Sequence, residues 1–261
     1  MEKKDFKFDK RADKYDDHFE GKLSRRFYRL LYRYTWLKSG DRVLDVGCGT
    51  GTILKTFSEL ENIEGHGIDV EPQMLSVAHR KCPDMDIREC SCEDTPYDDS
   101  YFDTLTACMA YHHFPDKDAF TKEALRLLKP NGRLYIADPA FPHPVRKALN
   151  LMCRNINGEF FSSEEMRSRF EKQGFRFIGV QKDRYAQLVI FEKNADALKG
   201  KRLIPFSTHE GSGLSGFDKK LASACPGSTV LKGLAIRGND CQNKQEDVKN
   251  KVNEWVSGLG Y

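Results

Sequence analysis

The stretch Val43-Leu44-Asp45-Val46-Gly47-Cys48-Gly49-Thr50-Gly51 places three glycines at alternate positions directly after an apolar run. The run reads as a buried strand, and the glycines as a turn whose bare backbone lets a ligand approach closely. Ile53, Leu54, Phe57 and Leu60 follow at helical spacing. The turn therefore opens a helix that presents unpaired N–H groups and the positive end of its dipole. This unit predicts an α/β chain, and the segments on either side repeat the pattern.

Upstream, Leu23, Phe27, Leu30, Leu31 and Tyr34 form an amphipathic helix that ends before the turn Ser39-Gly40-Asp41. Downstream, strands are predicted over Gly65–Val70, Met85–Arg88, Phe102–Cys108 and Arg133–Ala137. Helices are predicted around Met74, Leu75 and Ala78 and over Ala119–Leu128, the latter closed by a turn at Pro130-Asn131-Gly132. Val145, Leu149, Met152 and Ile156 make a further helical stripe, and Ser162-Ser163-Glu164-Glu165 has the capping-box pattern before a helix that stops at Gly174. Phe175–Val180 and Ala186–Phe191 are separated by five residues. They must pair antiparallel, since a parallel crossover needs about a dozen residues or more. The expectation is a doubly wound, mostly parallel sheet with one reversed strand near its end.

Length and charge narrow the partners. The 261 residues can bury a sizeable core in one large domain or two smaller ones. They carry 42 basic and 39 acidic side chains; from Asp196 onward the counts are 10 and 7, so the first 195 residues hold 32 of each and the tail holds the excess. No basic patch argues for nucleic acid. The start, MEKKDFKFDKR, has no apolar signal core, and no run reaches the roughly 18 apolar residues of a membrane span. A soluble, cytoplasmic chain is expected. The eight cysteines, at 48, 82, 90, 92, 108, 153, 225 and 241, show no disulfide framework. Cys90-x-Cys92, with Cys82 and His79 nearby, matches no common zinc spacing, so no metal site is expected.

The glycine spacing selects among adenosine ligands. A dinucleotide fingerprint requires glycine or alanine at residue 52, which is Thr52, and the chain instead has Asp45 two residues before the first glycine. That carboxylate would repel a pyrophosphate and attract an ammonium group. Four segments in register, VLDVGCGTG, GIDVEPQML, CEDTPYDDSYFDTLTACMAYHHFPD and ALRLLKPNGRLYIADP, then resemble those of a class I S-adenosylmethionine-dependent methyltransferase of the small-molecule, type 11-like kind, over residues from about 10 to 195. The resemblance implies a Rossmann-like, seven-stranded sheet whose last strand but one in space is antiparallel.

It also implies roles for particular residues. Asp45 and the backbone at Gly47 and Gly49 would surround the methionine part of S-adenosylmethionine, with Gly51 letting the helix pack close. Asp69, 24 residues after Asp45, would accept the ribose hydroxyls, with Val70 and Met74 flanking the adenine. Ser91, Cys92 and Glu93 would lie at the adenine edge. Ser91 stands where the family often has Asp, which leaves the base to backbone groups. Cys108 would lie near the methionine carbons. Tyr15 is a candidate lid residue, and His112, in the His112-His113 pair after the fourth strand, a candidate general base toward a small-molecule methyl acceptor. The insertion Pro139–Glu171, rich in aromatic and apolar residues, suggests a lid over a small, partly apolar acceptor.

From Ala197 the chain resembles the carboxyl-terminal part of a flavodoxin-like domain. It has a strand, the loop Thr208-His209-Glu210-Gly211-Ser212-Gly213, a helix, a second strand, and a last helix with Val248, Val252, Trp255 and Leu259 on one side. The expected division is a methyltransferase domain at 1–195 and a partial flavodoxin-like α/β segment at 196–261. Such a fragment exposes sheet edges, so it should dock on the first domain, pair with a second copy as a homo-oligomer, or complete a flavodoxin-like partner. A flavin- or partner-binding protein whose first domain only binds the cofactor is the alternative function.

Overall fold

The computed structural model describes residues 19–153, 158–194, 202–209, 216, 218–220 and 228–258. The chain divides into two compact units, residues 1–194 and 195–261.

The first unit is built on seven strands: β1 (Arg42–Val46), β2 (Glu64–Asp69), β3 (Asp86–Glu89), β4 (Phe102–Cys108), β5 (Leu128–Pro139), β6 (Phe175–Asp183) and β7 (Ala186–Lys193). They lie in the order β3-β2-β1-β4-β5-β7-β6. All neighbours pair parallel except at β7, which runs antiparallel to both β5 and β6. The reversed strand is thus next to last in space, where the resemblance implied it. The chain order reverses between β1 and β4, and at such a switch point an open α/β sheet leaves a crevice outside its carboxyl ends.

Helices α1 (Phe19–Tyr34), α2 (Thr52–Leu60), α3 (Pro72–Lys81), α4 (Lys117–Leu127), α5 (His143–Met152) and α6 (Ser163–Lys172) complete the unit. Strand residues alternate between two cores because successive side chains point to opposite faces. Val43, Tyr135, Ala137 and Leu188 join Phe27, Leu31, Leu54, Phe57 and Ala78 of α1, α2 and α3. Leu44, Leu134, Ile136, Val189 and Phe191 join Phe120, Ala124, Met166 and Phe170 of α4 and α6 on the other side.

Several local expectations change. Strand β5 begins directly after α4 and runs through Pro130-Asn131-Gly132, so these residues form an irregularity inside a strand, with Asn131 in left-handed backbone at φ 63°. The hairpin strands β6 and β7 extend until two residues, Arg184 and Tyr185, join them. The capping box at Ser162 and Glu165 is present in full. Helix α5 is the larger surprise. Of its apolar stripe, Val145 and Met152 are exposed and Leu149 is half-buried, and the buried residue of the helix is Arg146, ion-paired with Glu165. Ile156 lies outside the described residues.

The second unit contains β8 (Arg202–Leu203), β9 (Phe206–His209), β10 (Thr229–Val230), β11 (Leu234–Arg237), α7 (Gly238–Asn243) and α8 (Gln245–Ser257). Strands β8 and β10 pair parallel, as do β9 and β11. Pro205, which has no N–H, interrupts the β8-β9 run, yet its carbonyl accepts from Leu234 N and Leu203 O accepts from Leu231 N, so bonding continues past the break. Leu234 and Ile236 are buried, and Trp255 Nε1 donates to Lys232 O at 2.9 Å. The loop residues 210–213 and Leu259 lie outside the described residues.

Candidate ligand and acceptor site

The glycine turn after β1 is held from below by one carbonyl. Ile68 O accepts from Gly47 N at 2.8 Å and from Cys48 N at 2.9 Å. Each glycine then has its own reason. Gly47 has φ 73°, and a Cβ there would meet the Ala110 Cβ at 2.6 Å, so only glycine lets the loop after β4 close on it. At Gly51 a Cβ would sit 3.2 Å from both the Ala78 Cβ and the Cys82 sulfur, which is the close helix packing expected for it. Gly49 has φ 52° and nothing within 4 Å of its missing Cβ, so its side of the turn is open.

Asp69 ends β2 beside that open turn. Its Oδ2 accepts from Gly49 N at 2.8 Å and its Oδ1 from Glu71 N at 3.0 Å. Burial raises its pKa, while N–H bonds from Gly49, Glu71 and Val70 oppose the rise. Each carboxylate oxygen has two lone pairs, so both can still accept a hydroxyl. Val70, next to it, leaves its apolar side chain 61% exposed, whereas Met74 on α3 is buried.

Asp45 is the most telling group. It is 1% exposed in the middle of the sheet edge; its Oδ1 accepts from Thr106 Oγ1 at 2.6 Å, and its Oδ2 is buried with no partner among the described residues. Burial pushes its carboxyl up to about 7, against the Thr106 bond and with help from the Asp69 charge. A buried oxygen with no donor is costly, and a bound donor group would offset that cost. An S-adenosylmethionine molecule fits these groups: its ribose hydroxyls suit Asp69, its ammonium suits Asp45, and its methionine part suits the bare side of Gly49.

The segment after β3 is held by side-chain bonds. Ser91 Oγ accepts from Glu93 N at 3.3 Å, and Glu93 Oε1 accepts from Asp116 N, the N-cap of α4, at 2.6 Å. Ser91 is half-buried and Cys92 is buried. Farther along, Glu123 Oε1 accepts from both Thr95 N and Thr95 Oγ1, and Arg126 bridges Glu123 to Asp99.

Cys108 closes β4, buried, and its thiol is raised well above its ordinary value by burial and then by the charges of Asp45 and Asp138. Met109 follows in left-handed backbone at φ 55°, an uncommon conformation for such a residue. The chain then makes one 3₁₀ turn, Tyr111–His113. There His112 Nδ1 lies 2.8 Å from Asp138 Oδ1 near the end of β5, with His112 5% and Asp138 0% exposed. His113 and Phe160 lie against the His112 ring at centroid distances of 4.0 and 5.0 Å.

The structure thus brings Asp45, Gly47, Gly49, Gly51 and Asp69 around one turn, with Val70 following Asp69 and Met74 buried on α3, and brings Cys108 and His112 to the neighbouring strand end. Tyr15 lies outside the described residues. Sequence reasoning missed Asp138, Thr106, Ala110 and Phe160. Asp138 carried a signal, an acid closing the apolar strand LYIADP; the others are defined only by what folds against them. Among the described residues no group of three His, Cys, Asp or Glu could hold a metal ion.

The chain and its fold have counterparts among known proteins. Residues 44–136 match the family model described as a methyltransferase domain. The chain is 32% identical over 150 residues to the ubiquinone/menaquinone biosynthesis C-methyltransferase UbiE of Vibrio parahaemolyticus, covering 53% of this chain and 57% of that protein. It is 34% identical over 112 residues to the demethylmenaquinone methyltransferase of Chlorobaculum parvum, covering 42% and 46%. The chain therefore spans about half the length of the curated relatives it matches. Among solved structures, the fold is similar to that of a Haloferax volcanii complex between the Trm112 methyltransferase activator and a methyltransferase (TM-score 0.61, 19% identity, 71% of this chain and 98% of that one). It is also similar to the geranyl diphosphate C-methyltransferase of Streptomyces coelicolor (TM-score 0.57, 14% identity, 66% and 77%).

Proposed function

We propose that this chain is an S-adenosylmethionine-dependent methyltransferase that moves a methyl group to a small-molecule acceptor. The observation that carries the reading is the pair of carboxylates on either side of the glycine turn, Asp69 with both oxygens still able to accept and Asp45 with one buried oxygen unpartnered. Bound there, the cofactor supplies a methyl carbon activated by a sulfonium cation and open to in-line displacement. Asp69 holds the ribose hydroxyls, and Asp45 faces the ammonium. Val70 and Met74 flank the adenine, Ser91 and Cys92 lie at its edge, Gly47 and Gly49 line the methionine part, and Cys108 its carbons. His112 serves the acceptor; Tyr15, expected as a lid residue, lies outside the described residues.

The relatives named for demethylmenaquinone and for ubiquinone/menaquinone biosynthesis make a demethylated menaquinone-type ring the first acceptor to try. The chain works in the cytoplasm with no nucleic acid or membrane partner; no helix among the described residues is long and apolar enough to cross a membrane. Residues 1–195 are the methyltransferase domain. The tail, 196–261, is a flavodoxin-like fragment that meets a second copy or a flavodoxin-like partner, and its parallel strand pairs favour this reading. They also sustain a second function, flavin or partner binding with the first domain holding the cofactor only.

Calorimetric titration of S-adenosylmethionine and S-adenosylhomocysteine into the full chain, beside NADH, flavin mononucleotide and Asp69→Ala, tests the proposal. Micromolar binding of the two sulfur ligands, weakened by the substitution, is expected. Binding of NADH or the flavin in their place overturns it.

A further inference from the structure

We propose that Asp138 is the positioning residue for His112, and that His112 Nε2 takes the proton of a weakly acidic ring hydroxyl on a planar aromatic acceptor. The inference rests on the methyl-transfer reading above and names the acceptor class for it.

The imidazole is fixed on every side but one. Asp138 lies on β5 and His112 just after β4, so adjacent parallel strands deliver both to the ligand-binding edge of the sheet. The 2.8 Å contact between Asp138 Oδ1 and His112 Nδ1 is buried, and a carboxylate there requires Nδ1 to be the N–H donor. In the neutral ring the lone pair is then on Nε2, which has no hydrogen bond among the described residues. One ring face meets Phe160, nearly parallel at 23°, and His113 packs against the ring at 42°. Phe160 is itself locked: Asn150 Nδ2 donates to its carbonyl at 3.0 Å and its N–H donates to Asn150 Oδ1 at 2.9 Å. Glu159 N donates to His112 O at 2.9 Å, tying the same segment to the 3₁₀ turn. An imidazole held this firmly is preorganised to take a proton along one direction.

The aromatic side chains packed beside the imidazole point to the acceptor. Phe141 meets Phe160 edge-on, 5.2 Å between centroids, and Phe141, Phe160 and His113 are all half-buried. Flat, partly exposed rings around a buried base suit a planar aromatic molecule. His112 follows the end of β4, and Asp138 comes directly after Ala137, the β5 partner of Cys108, so the base stands at the same strand ends as Cys108. In the step itself the acceptor O–H bond breaks, its electron pair stays on oxygen, and the proton moves to Nε2. The imidazolium so formed is balanced by the Asp138 carboxylate, and the acceptor is left as a phenolate.

The probe is 4-nitrophenol, added to the full chain saturated with S-adenosylhomocysteine at a pH where the free probe is mostly protonated. The phenolate absorption band is expected to grow on binding, and to fall at least tenfold in His112→Gln and severalfold in Asp138→Asn. Nitrogen NMR of the wild-type imidazole gives a measurement that needs no variant to fold: Nδ1 protonated and Nε2 bare is expected at His112. A bound neutral phenol, no binding to the saturated chain, an unchanged band in His112→Gln, or the opposite tautomer overturns the proposal. Loss of S-adenosylhomocysteine binding by the wild-type chain is a separate outcome that defeats the methyl-transfer reading itself.

Discussion

At the scale of the residue, Asp45 sets function against stability. Its carboxyl titrates near 7 in the folded chain against 3.8 for the ordinary group. The folded state therefore holds an extra proton between those values, and stability falls as pH rises from about 4 to about 7. Replacing Asp45 by Asn should raise the thermal midpoint at pH 8, by the equivalent of a few kcal/mol at most, with the gain fading toward pH 5. Calorimetric unfolding across that range checks it. The ionised form is also the one that attracts an ammonium. S-adenosylhomocysteine affinity should thus drop about tenfold per pH unit below 7 in the wild-type chain, and lose that dependence in Asp45→Asn.

At the scale of the element, the glycine turn separates folding from binding by position. Gly47→Ala puts a methyl group against Ala110 and so must push the loop after β4 away; destabilisation of about 2 kcal/mol or more and loss of binding are expected. Gly49→Ala meets open space and carries only the roughly 1 kcal/mol of left-handed backbone, yet its methyl enters the ligand side of the turn. Denaturant unfolding paired with titration should show near-normal stability and lost affinity for the second variant alone. Helix α6 gives a control away from the site, where Ser162→Ala removes the capping box at about 1 kcal/mol with no effect on ligand.

At the scale of the whole molecule, each unit has its own set of buried side chains. Residues 1–194 hold a core on each face of a seven-stranded sheet, whereas in 195–261 the buried apolar side chains among the described strands are Leu234 and Ile236. Ending the chain after Asn194 should therefore leave S-adenosylhomocysteine affinity within twofold, measured by the same titration. A large loss would make the second unit part of the site.

The sequence by itself determined the layout of the first unit. Glycine spacing, apolar runs and a five-residue gap encode the succession of strands and helices, the antiparallel pairing of β6 with β7 and the place of Asp45 and Asp69 along the chain, because each depends on local conformation or on chain connectivity; the position of the reversed strand in the sheet was implied by the resemblance. The turn at Pro130-Asn131-Gly132 and the stripe on α5 misled for the same reason: local propensity says nothing of a neighbouring strand that continues the ladder, or of a Glu165 that draws Arg146 inward. Only the tertiary structure decided that Asp138 meets His112, that Ala110 closes on Gly47 and that one oxygen of Asp45 is left without a donor. Those facts depend on which distant side chains share a strand end, and the free energy of a buried polar group is set by the partners that folding brings to it.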